Sequence, residues 1–227
     1  MKYTLIIPSG GVGNRLGAEL PKQYLEVNGK SILNWTLSKF ENIEGIEQLL
    51  IPSDNSYKDE IIKSIPESFQ DKYQLTPHGE TRFASIYNSI EYIDNDSDFI
   101  MVHDAVRPFI TDELINKLKE SANTYKTAVP YVCPTDTIKK INIENPDTFV
   151  EETLDRELLA AVQTPQVFDK DIFVSSYNYA KKNQFKGTDD SSILEYSNIF
   201  PKLIFGDVQN TKITTRFDLE LSKTRLK

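Results

Sequence analysis

Cysteine is almost missing from this 227-residue chain: Cys133 stands alone. That excludes an internal disulfide and any metal site built from several thiolates, and a small buried thiol is its expected role. Histidine is nearly as scarce, with only His78 and His103, which leaves little material for a zinc centre. No apolar run approaches the ~20 residues that cross a bilayer. The apolar stretch between Met1 and Pro8 is too short for a secretory leader and lacks a small-residue cleavage site, so a cytoplasmic address is expected. Positive charge is also in deficit, since 26 Lys and Arg stand against 34 Asp and Glu for a net charge of -8. Binding to nucleic acid needs a basic surface that releases counterions, so such a partner is not expected. Basic groups that grip phosphate must be concentrated locally. Repeats, low-complexity tracts and Gly/Ser linkers are missing as well, so residues 1–227 read as one domain.

What is present is an alternation of short apolar strands and amphipathic helices. Tyr3 to Pro8 is an opening strand that stops at a glycine-rich stretch, 9–17. Ser31 can cap a helix whose Leu33, Leu37 and Phe40 share a face. A strand is expected at Gln48 to Ile51, a helix from Asp54 or Ser56 through Ile65, another from Thr81 to Tyr92, and a strand at Phe99 to Val102 that ends on His103-Asp104. Thr111 caps a helix reaching Tyr125, with Asp112 and Glu113 at its positive end. A strand at Thr127 to Val132, helices from Asp169, Asp189 and Thr215, and a strand at Leu203 to Phe205 complete the pattern. The implied fold class is α/β, a Rossmann-like, mostly parallel sheet with helices on both faces and ligands at the carboxyl ends of its strands. Residues 134–157 break the rhythm with alternating Thr137, Lys139 and Ile141, a turn at Asn145-Pro146-Asp147, and a return through Phe149 and Val150. This reads as a projecting β-hairpin arm too poor in core residues to pack on itself, and another subunit is its simplest support.

Gly11, Gly13 and Gly17 invite comparison with a dinucleotide-binding loop. Such a loop needs a long helix starting inside the motif, and Pro21 falls where that helix would be in mid-course. A G-K-[ST] ending is missing too, which removes the ordinary ATPase reading. There remains a glycine-rich loop with Arg15, followed by Pro21-Lys22-Gln23. Glycines admit phosphate oxygens close to backbone N–H groups, and two cations can grip a triphosphate from different sides. A tight turn with two solvated cations would look the same from this loop alone.

Taken in order, the motifs resemble the 2-C-methyl-D-erythritol 4-phosphate cytidylyltransferase family across nearly the whole chain. The glycine motif appears as Ser9-Gly10-Gly11-Val12-Gly13-Asn14-Arg15, then Pro21-Lys22-Gln23-Tyr24-Leu25, Gly79-Glu80-Thr81-Arg82 with Ser85, and His103-Asp104-Ala105-Val106-Arg107-Pro108. Asp136-Thr137-Ile138-Lys139, Thr153-Leu154-Asp155-Arg156, Gln163-Thr164-Pro165-Gln166, Thr188-Asp189-Asp190, Gly206 and Asn210-Thr211-Lys212-Ile213-Thr214 follow. Two departures stand out. Family members usually carry Ala or a similar small residue at Ser9 and Gly10, and a glycine where this chain has His78; a histidine there is strained if the position needs positive φ.

The resemblance implies a fold of the nucleotide-diphospho-sugar transferase type and a displacement in which an acceptor phosphate oxygen attacks the α-phosphorus of CTP, releasing pyrophosphate. It implies Arg15, Lys22 and Lys212 as catalytic cations, and Ser9, Gly10, Gly11, Gly13, Gly79, Glu80, Arg82, Ser85, Asp104 and Ala105 as nucleotide-binding residues. Mg²⁺ is the implied cofactor, held by Asp104 with Asn210 as a second candidate, while His103 reads as structural. Arg107, Thr137, Arg156, Thr164 and Thr188 are the implied acceptor contacts, with Thr137 and Arg156 supplied by the exchanged arm of a homodimer. Ribitol 5-phosphate cytidylyltransferase is a related alternative, from which the arm motifs distinguish this chain. A non-catalytic nucleotide sensor would be expected to have lost Arg15, Lys22, Asp104 or Lys212, and all four are present. A sugar-alcohol phosphate is accordingly the expected second substrate, and neither nucleic acid nor membrane is an expected partner.

Overall fold

The computed structural model describes residues 1–11, 20–142 and 148–227. Gly13, Arg15 and Gly17 of the glycine motif, and the 145–147 turn of the arm, lie outside the described residues.

A central sheet is assembled from β1 (Tyr3–Ile6), β4 (Ile46–Ser53), β5 (Tyr73–Pro77), β6 (Phe99–Val102), β7 (Thr127–Val132), β10 (Ala161–Val162), β11 (Gln166–Asp169) and β12 (Leu203–Phe205). Its order is β10-β7-β11-β6-β1-β4-β5, with β12 also paired to β7. Pairs β1/β4, β1/β6, β4/β5 and β7/β12 run parallel, whereas β11 is antiparallel to both β6 and β7. The remaining described strands, β2 (Glu26–Val27) with β3 (Lys30–Ser31) and β8 (Lys139–Ile141) with β9 (Val150–Thr153), form two separate antiparallel ribbons.

Alternation along the central strands explains why both faces are covered. Leu5, Leu49, Ile51, Phe99, Met101 and Val167 point into one apolar cluster, and Ile6, Leu50, Ile100, Val102 and Phe168 into another. The first cluster is closed by α1 (Ile32–Leu37), α2 (Lys58–Ser64) and α4 (Asp112–Tyr125), the second by α3 (Arg82–Ser89), α5 (Lys170–Lys182) and α6 (Asp190–Tyr196). Strands buried on both sides must be nearly continuous in apolar residues, as these are. A smaller cluster of Val27, Ile32, Val106, Ile213 and Leu226 seats the last helix, α7 (Arg216–Arg225).

The helix starts follow the expected caps: Ser31, Thr81, Thr111, Asp169, Asp189 and Thr215 each accept a backbone N–H of the first turn. Asp54 differs, since it caps a 3-10 turn over Asn55–Tyr57 and α2 begins only at Lys58. The arm is a hairpin whose β8 and β9 residues are all exposed. Cys133 is exposed rather than buried, because it lies one residue past the end of β7, where the chain leaves the core.

Candidate active site

The chain leaves β1 at its carboxyl end through Pro8 into Ser9, Gly10 and Gly11, and this turn is pinned from below. Gln23 Nε2 donates to the Ser9 carbonyl at 2.6 Å and to the Gly11 carbonyl at 3.0 Å, while the Tyr24 hydroxyl donates to the Ser9 carbonyl at 3.0 Å. Both side chains are buried in the 3-10 turn Lys22–Tyr24. The segment after Pro21 therefore does two jobs: Lys22 lines the cleft, and its two successors hold the glycine turn. No role for Gln23 or Tyr24 was readable from sequence, although the spacing Pro-Lys-Gln-Tyr carried the signal.

Opposite stands the turn after β5. Gly79 has no room for a side chain, since a Cβ there would lie 2.4 Å from the Ala84 Cβ and 2.8 Å from the Ala84 carbonyl carbon. Its requirement is close approach, because neither His78 nor Gly79 takes positive φ. Histidine at 78 is thus free of the strain feared from its sequence position. Its side chain instead overhangs the glycine turn, with its Cβ 2.7 Å from where a Cβ on Gly10 would stand. The two departures from the family pattern meet in space. The Ser85 hydroxyl accepts from the Gly79 N–H at 3.0 Å and reaches the Thr81 carbonyl at 3.0 Å, so it organises the turn as well as bordering the cleft.

The third wall is the carboxyl end of β6. Asp104 Oδ2 lies 2.9 Å from Lys212 Nζ and 3.0 Å from Arg107 Nε, and Oδ1 lies 3.8 Å from Arg82 Nε. Burial opposes charge on this carboxyl, but Arg82, Lys212 and Arg107 outweigh it and hold Asp104 far below the usual carboxylate range. Lys212 is anchored by its neighbour Ile213, which is buried and donates its N–H to the Val106 carbonyl at 2.9 Å. The resulting cleft, about 440 Å³, is bordered by Gly10, Gly11, Lys22, Gly79, Glu80, Arg82, Ser85, Asp104, Ala105 and Lys212. Its size suits a nucleotide-scale ligand, and its cations are concentrated as an acidic protein that binds phosphate requires.

Beneath the cleft, His103 is fully buried. Its Nε2 must donate to the Arg107 carbonyl at 3.1 Å, so Nδ1 is left to accept from the Thr164 hydroxyl at 3.0 Å, which in turn accepts the Asp104 N–H at 3.0 Å. Burial lowers the imidazole to about 4 and keeps it neutral. His103 thus lies under the cleft floor and does not border the cleft.

Comparison with known proteins decides the family. The model of the 2-C-methyl-D-erythritol 4-phosphate cytidylyltransferase family (IspD) matches residues 3–227. The chain belongs to this family. A cytidylyltransferase of that name from Caldanaerobacter subterraneus subsp. tengcongensis is 34% identical over 229 residues, covering 100% of both chains, and one from Clostridium beijerinckii is 36% identical over 219 residues, covering 96% of this chain and 95% of its own. Among solved structures, the Francisella tularensis 2-C-methyl-D-erythritol 4-phosphate cytidylyltransferase superposes with a TM-score of 0.85 at 29% identity and full coverage of both chains. The Anaerococcus prevotii 4-diphosphocytidyl-2C-methyl-D-erythritol synthase gives 0.84 at 28% identity, covering 99% of this chain and 98% of its own.

Within this family's fold, not every anticipated site residue reaches the cleft. Ser9 is buried beneath the glycine turn, with its N–H on the Pro52 carbonyl at 2.8 Å and its own carbonyl taken by Gln23 and Tyr24, and it does not border the cleft. Arg107 turns inward, with Nε on Asp104 and Nη1 on the Asn210 carbonyl at 2.8 Å, and does not border the cleft. Thr164 is buried and bound to His103 and Asp104, and Asn210 is fully buried with its Nδ2 on the Thr164 carbonyl at 2.9 Å. These three build the floor that holds Asp104. Thr188 is exposed just before the α6 cap, and Thr137 and Arg156 sit exposed on the arm, with Arg156 Nη1 on the Thr135 carbonyl at 2.6 Å. None of these three borders the cleft of its own chain.

Proposed function

We propose that this cleft transfers CMP from CTP to 2-C-methyl-D-erythritol 4-phosphate. An acceptor phosphate oxygen forms a bond to the α-phosphorus while the bond from that phosphorus to the bridging oxygen of pyrophosphate breaks. The acceptor oxygen is already ionised near neutral pH, so no general base is required and catalysis rests on alignment and on charge stabilisation. The observation that carries this is the ionised Asp104 ringed by Arg82, Arg107 and Lys212 at the end of β6, in a cleft also bordered by the glycine turn and by Lys22 of the 3-10 turn beneath it. Lys22, Lys212 and Arg15 act as the cations that meet the developing charge. Gly79, Glu80 and Ser85 address the polar edge of cytosine. The relatives' names favour methylerythritol phosphate over ribitol phosphate as acceptor.

Mg²⁺ fits this donor set in one way. Among the described residues no cluster of three or more His, Cys, Asp or Glu side chains could hold a metal alone. Magnesium commonly takes one or two carboxylates plus substrate phosphates, and Asp104 is an ionised carboxylate in the cleft. Asn210 Oδ1 is buried without a partner in the floor beneath Asp104 and does not border the cleft, so of the two anticipated ligands only Asp104 faces it. Bound there, the ion would neutralise phosphate charge.

Support for a homodimer with arm exchange comes from the arm's exposed Ile141, Phe149 and Val150 and from Leu158 just past its end, 83% exposed, on the same segment as Thr137 and Arg156. A partner would cover this apolar surface and receive both polar residues. Among the described residues no helix is long and apolar enough to cross a membrane, and an exposed free thiol at Cys133 suits a reducing, cytoplasmic setting.

Lys22→Ala and Lys212→Ala test the site. Each is expected to lower kcat on the order of 10²-fold with a smaller change in KM for CTP, as loss of one transition-state contact does. Turnover is expected to stop in EDTA and return with Mg²⁺. Full activity of both variants would show that the chemistry lies elsewhere.

A further inference from the structure

Arg82 enters the cleft from the first turn of α3, and it is gripped from the side away from the substrates by residues that the transfer itself does not use. Asp190, the first residue of α6, is fully buried. Its Oδ2 accepts from Arg82 Nη2 at 2.6 Å, and its Oδ1 accepts from the Tyr177 hydroxyl at 2.5 Å. Tyr177 lies on α5, is itself buried, and stacks on Phe83 with ring centroids 5.2 Å apart. Burial and the neighbouring Asp190 push its hydroxyl well above the usual tyrosine range, so it remains a donor.

The carboxylate has little freedom to move. Asp189, one residue earlier, caps α6 by accepting the Ser192 N–H at 3.0 Å and is tied to β11 through Gln166 Nε2 at 2.7 Å. A fully buried carboxylate is costly unless both oxygens are satisfied, and apolar residues of similar volume generally stabilise a core as well or better. Here both oxygens are satisfied, and one partner is a cation of the substrate cleft. Arg82 consequently stops 3.8 Å short of Asp104, close enough to act on its charge but without a direct hydrogen bond.

We propose that Asp190 and Tyr177 are positioning residues for cytidylyl transfer: they hold the Arg82 guanidinium at a fixed place in the nucleotide cleft and keep it from collapsing onto Asp104. The inference rests on CTP being the nucleotide. An asparagine at 190 has one carbonyl to offer where the carboxylate serves two donors, so one of Tyr177 and Arg82 loses its acceptor. Released, Arg82 closes the gap to Asp104 and is withdrawn from its place facing the nucleotide. Tyr177→Phe removes only the outer link and leaves the ion pair, so its effect runs the same way and is smaller.

The test is a double-mutant cycle read by steady-state kinetics. Asp190→Asn is expected to raise KM for CTP about tenfold or more, the scale of one lost charge-assisted hydrogen bond, while KM for the acceptor stays within about twofold. In an Arg82→Gln background the same substitution should add no more than about twofold, because its target is gone. Tyr177→Phe, which leaves every charge in place, should raise KM for CTP about threefold in the wild-type background and not in Arg82→Gln. It carries the test if Asp190→Asn does not fold. An unchanged KM for CTP, equal rises in both KM values, or effects that multiply with Arg82→Gln would overturn the proposal and leave Asp190 with a purely structural role. A wild-type protein inactive with CTP would instead defeat the functional reading on which it rests.

Discussion

At the scale of single residues, the most informative pair is Gly10 and His78. Each departs from what the resemblance leads one to expect at its position, and the structure brings them together: the His78 Cβ occupies space that a Cβ on Gly10 would enter to 2.7 Å. The space is shared, which predicts that the two residues compensate for each other. Gly10→Ala alone is expected to cost about 1–3 kcal/mol through overpacking and to raise KM for CTP, whereas adding His78→Gly should restore both. Urea unfolding and CTP titrations of the two single variants and the double variant check this, and a harmless Gly10→Ala would refute it. Sequence alone revealed both departures but not their contact, because 68 residues of chain separate them. The same limit applied to Gln23 and Tyr24, whose motif was visible while their hold on the Ser9 carbonyl was not. Arg107 and Thr164 were readable as functional by resemblance, yet Arg107 Nε is turned onto Asp104 and the Thr164 hydroxyl lies between His103 and the Asp104 N–H, beneath the cleft. Which face of a short loop turns inward is fixed by packing, and no spacing rule reports it.

Among the elements, strands carrying unbroken apolar runs and helices with a side-chain cap were legible. The two-residue strands β2, β3 and β10 were not, and neither were two longer ones. β5 (Tyr73–Pro77) is mostly half-exposed at the sheet edge, so its run is diluted with polar residues. β11 (Gln166–Asp169) begins and ends on polar side chains that are committed elsewhere: Gln166 binds the start of α6, and Asp169 caps α5. Its antiparallel insertion between β6 and β7 is a tertiary choice. The cap of α7 yields a prediction with a pH sign. Asp218 accepts from the N–H groups of Thr214 and Thr215 at 2.9 and 2.8 Å and from the Thr214 hydroxyl at 2.9 Å. Partial burial works against its charge, but these donors prevail and hold its pKa below the usual carboxylate value. Its contribution is therefore present above the unfolded-state pKa and is lost as pH falls through the folded one. Asp218→Asn should cost about 1 kcal/mol at pH 7, and the difference from wild type should shrink as the pH drops below about 4. Urea midpoints measured across that range decide it; a difference independent of pH would show that the charge is irrelevant. Because α7 follows directly on Lys212 and Ile213, a frayed cap should also weaken turnover.

For the whole molecule, the separation between core and arm is the central architectural fact. The cleft is built from the ends of β1, β5 and β6, while Thr137 and Arg156 stand on a hairpin whose strands are exposed throughout. In the proposed dimer each site takes its core from one subunit and its arm from the other. Lys22→Ala and Arg156→Ala are each expected to be nearly inactive alone. Co-expressed, half of the randomly paired dimers are mixed, and each mixed dimer holds one site with an intact core and an intact arm. Activity should then return to about a quarter of wild type if the sites act independently. No recovery, with mixed dimers confirmed by mass spectrometry, would assign Arg156 to its own subunit or to none. The layered, mostly parallel character was legible because strands alternate with helices along the chain, whereas the arm's destination was only inferred from its poverty in core residues.

The claim underlying all of this is that the cleft joins CTP to one sugar-alcohol phosphate in preference to its relatives. It is tested most directly by supplying the purified protein with CTP, Mg²⁺ and equal concentrations of 2-C-methyl-D-erythritol 4-phosphate and ribitol 5-phosphate, and identifying the products by mass spectrometry. The account predicts 4-diphosphocytidyl-2-C-methyl-D-erythritol as the dominant product, formed in step with pyrophosphate. Dominant CDP-ribitol, or no cytidylyl product from either acceptor, would contradict it.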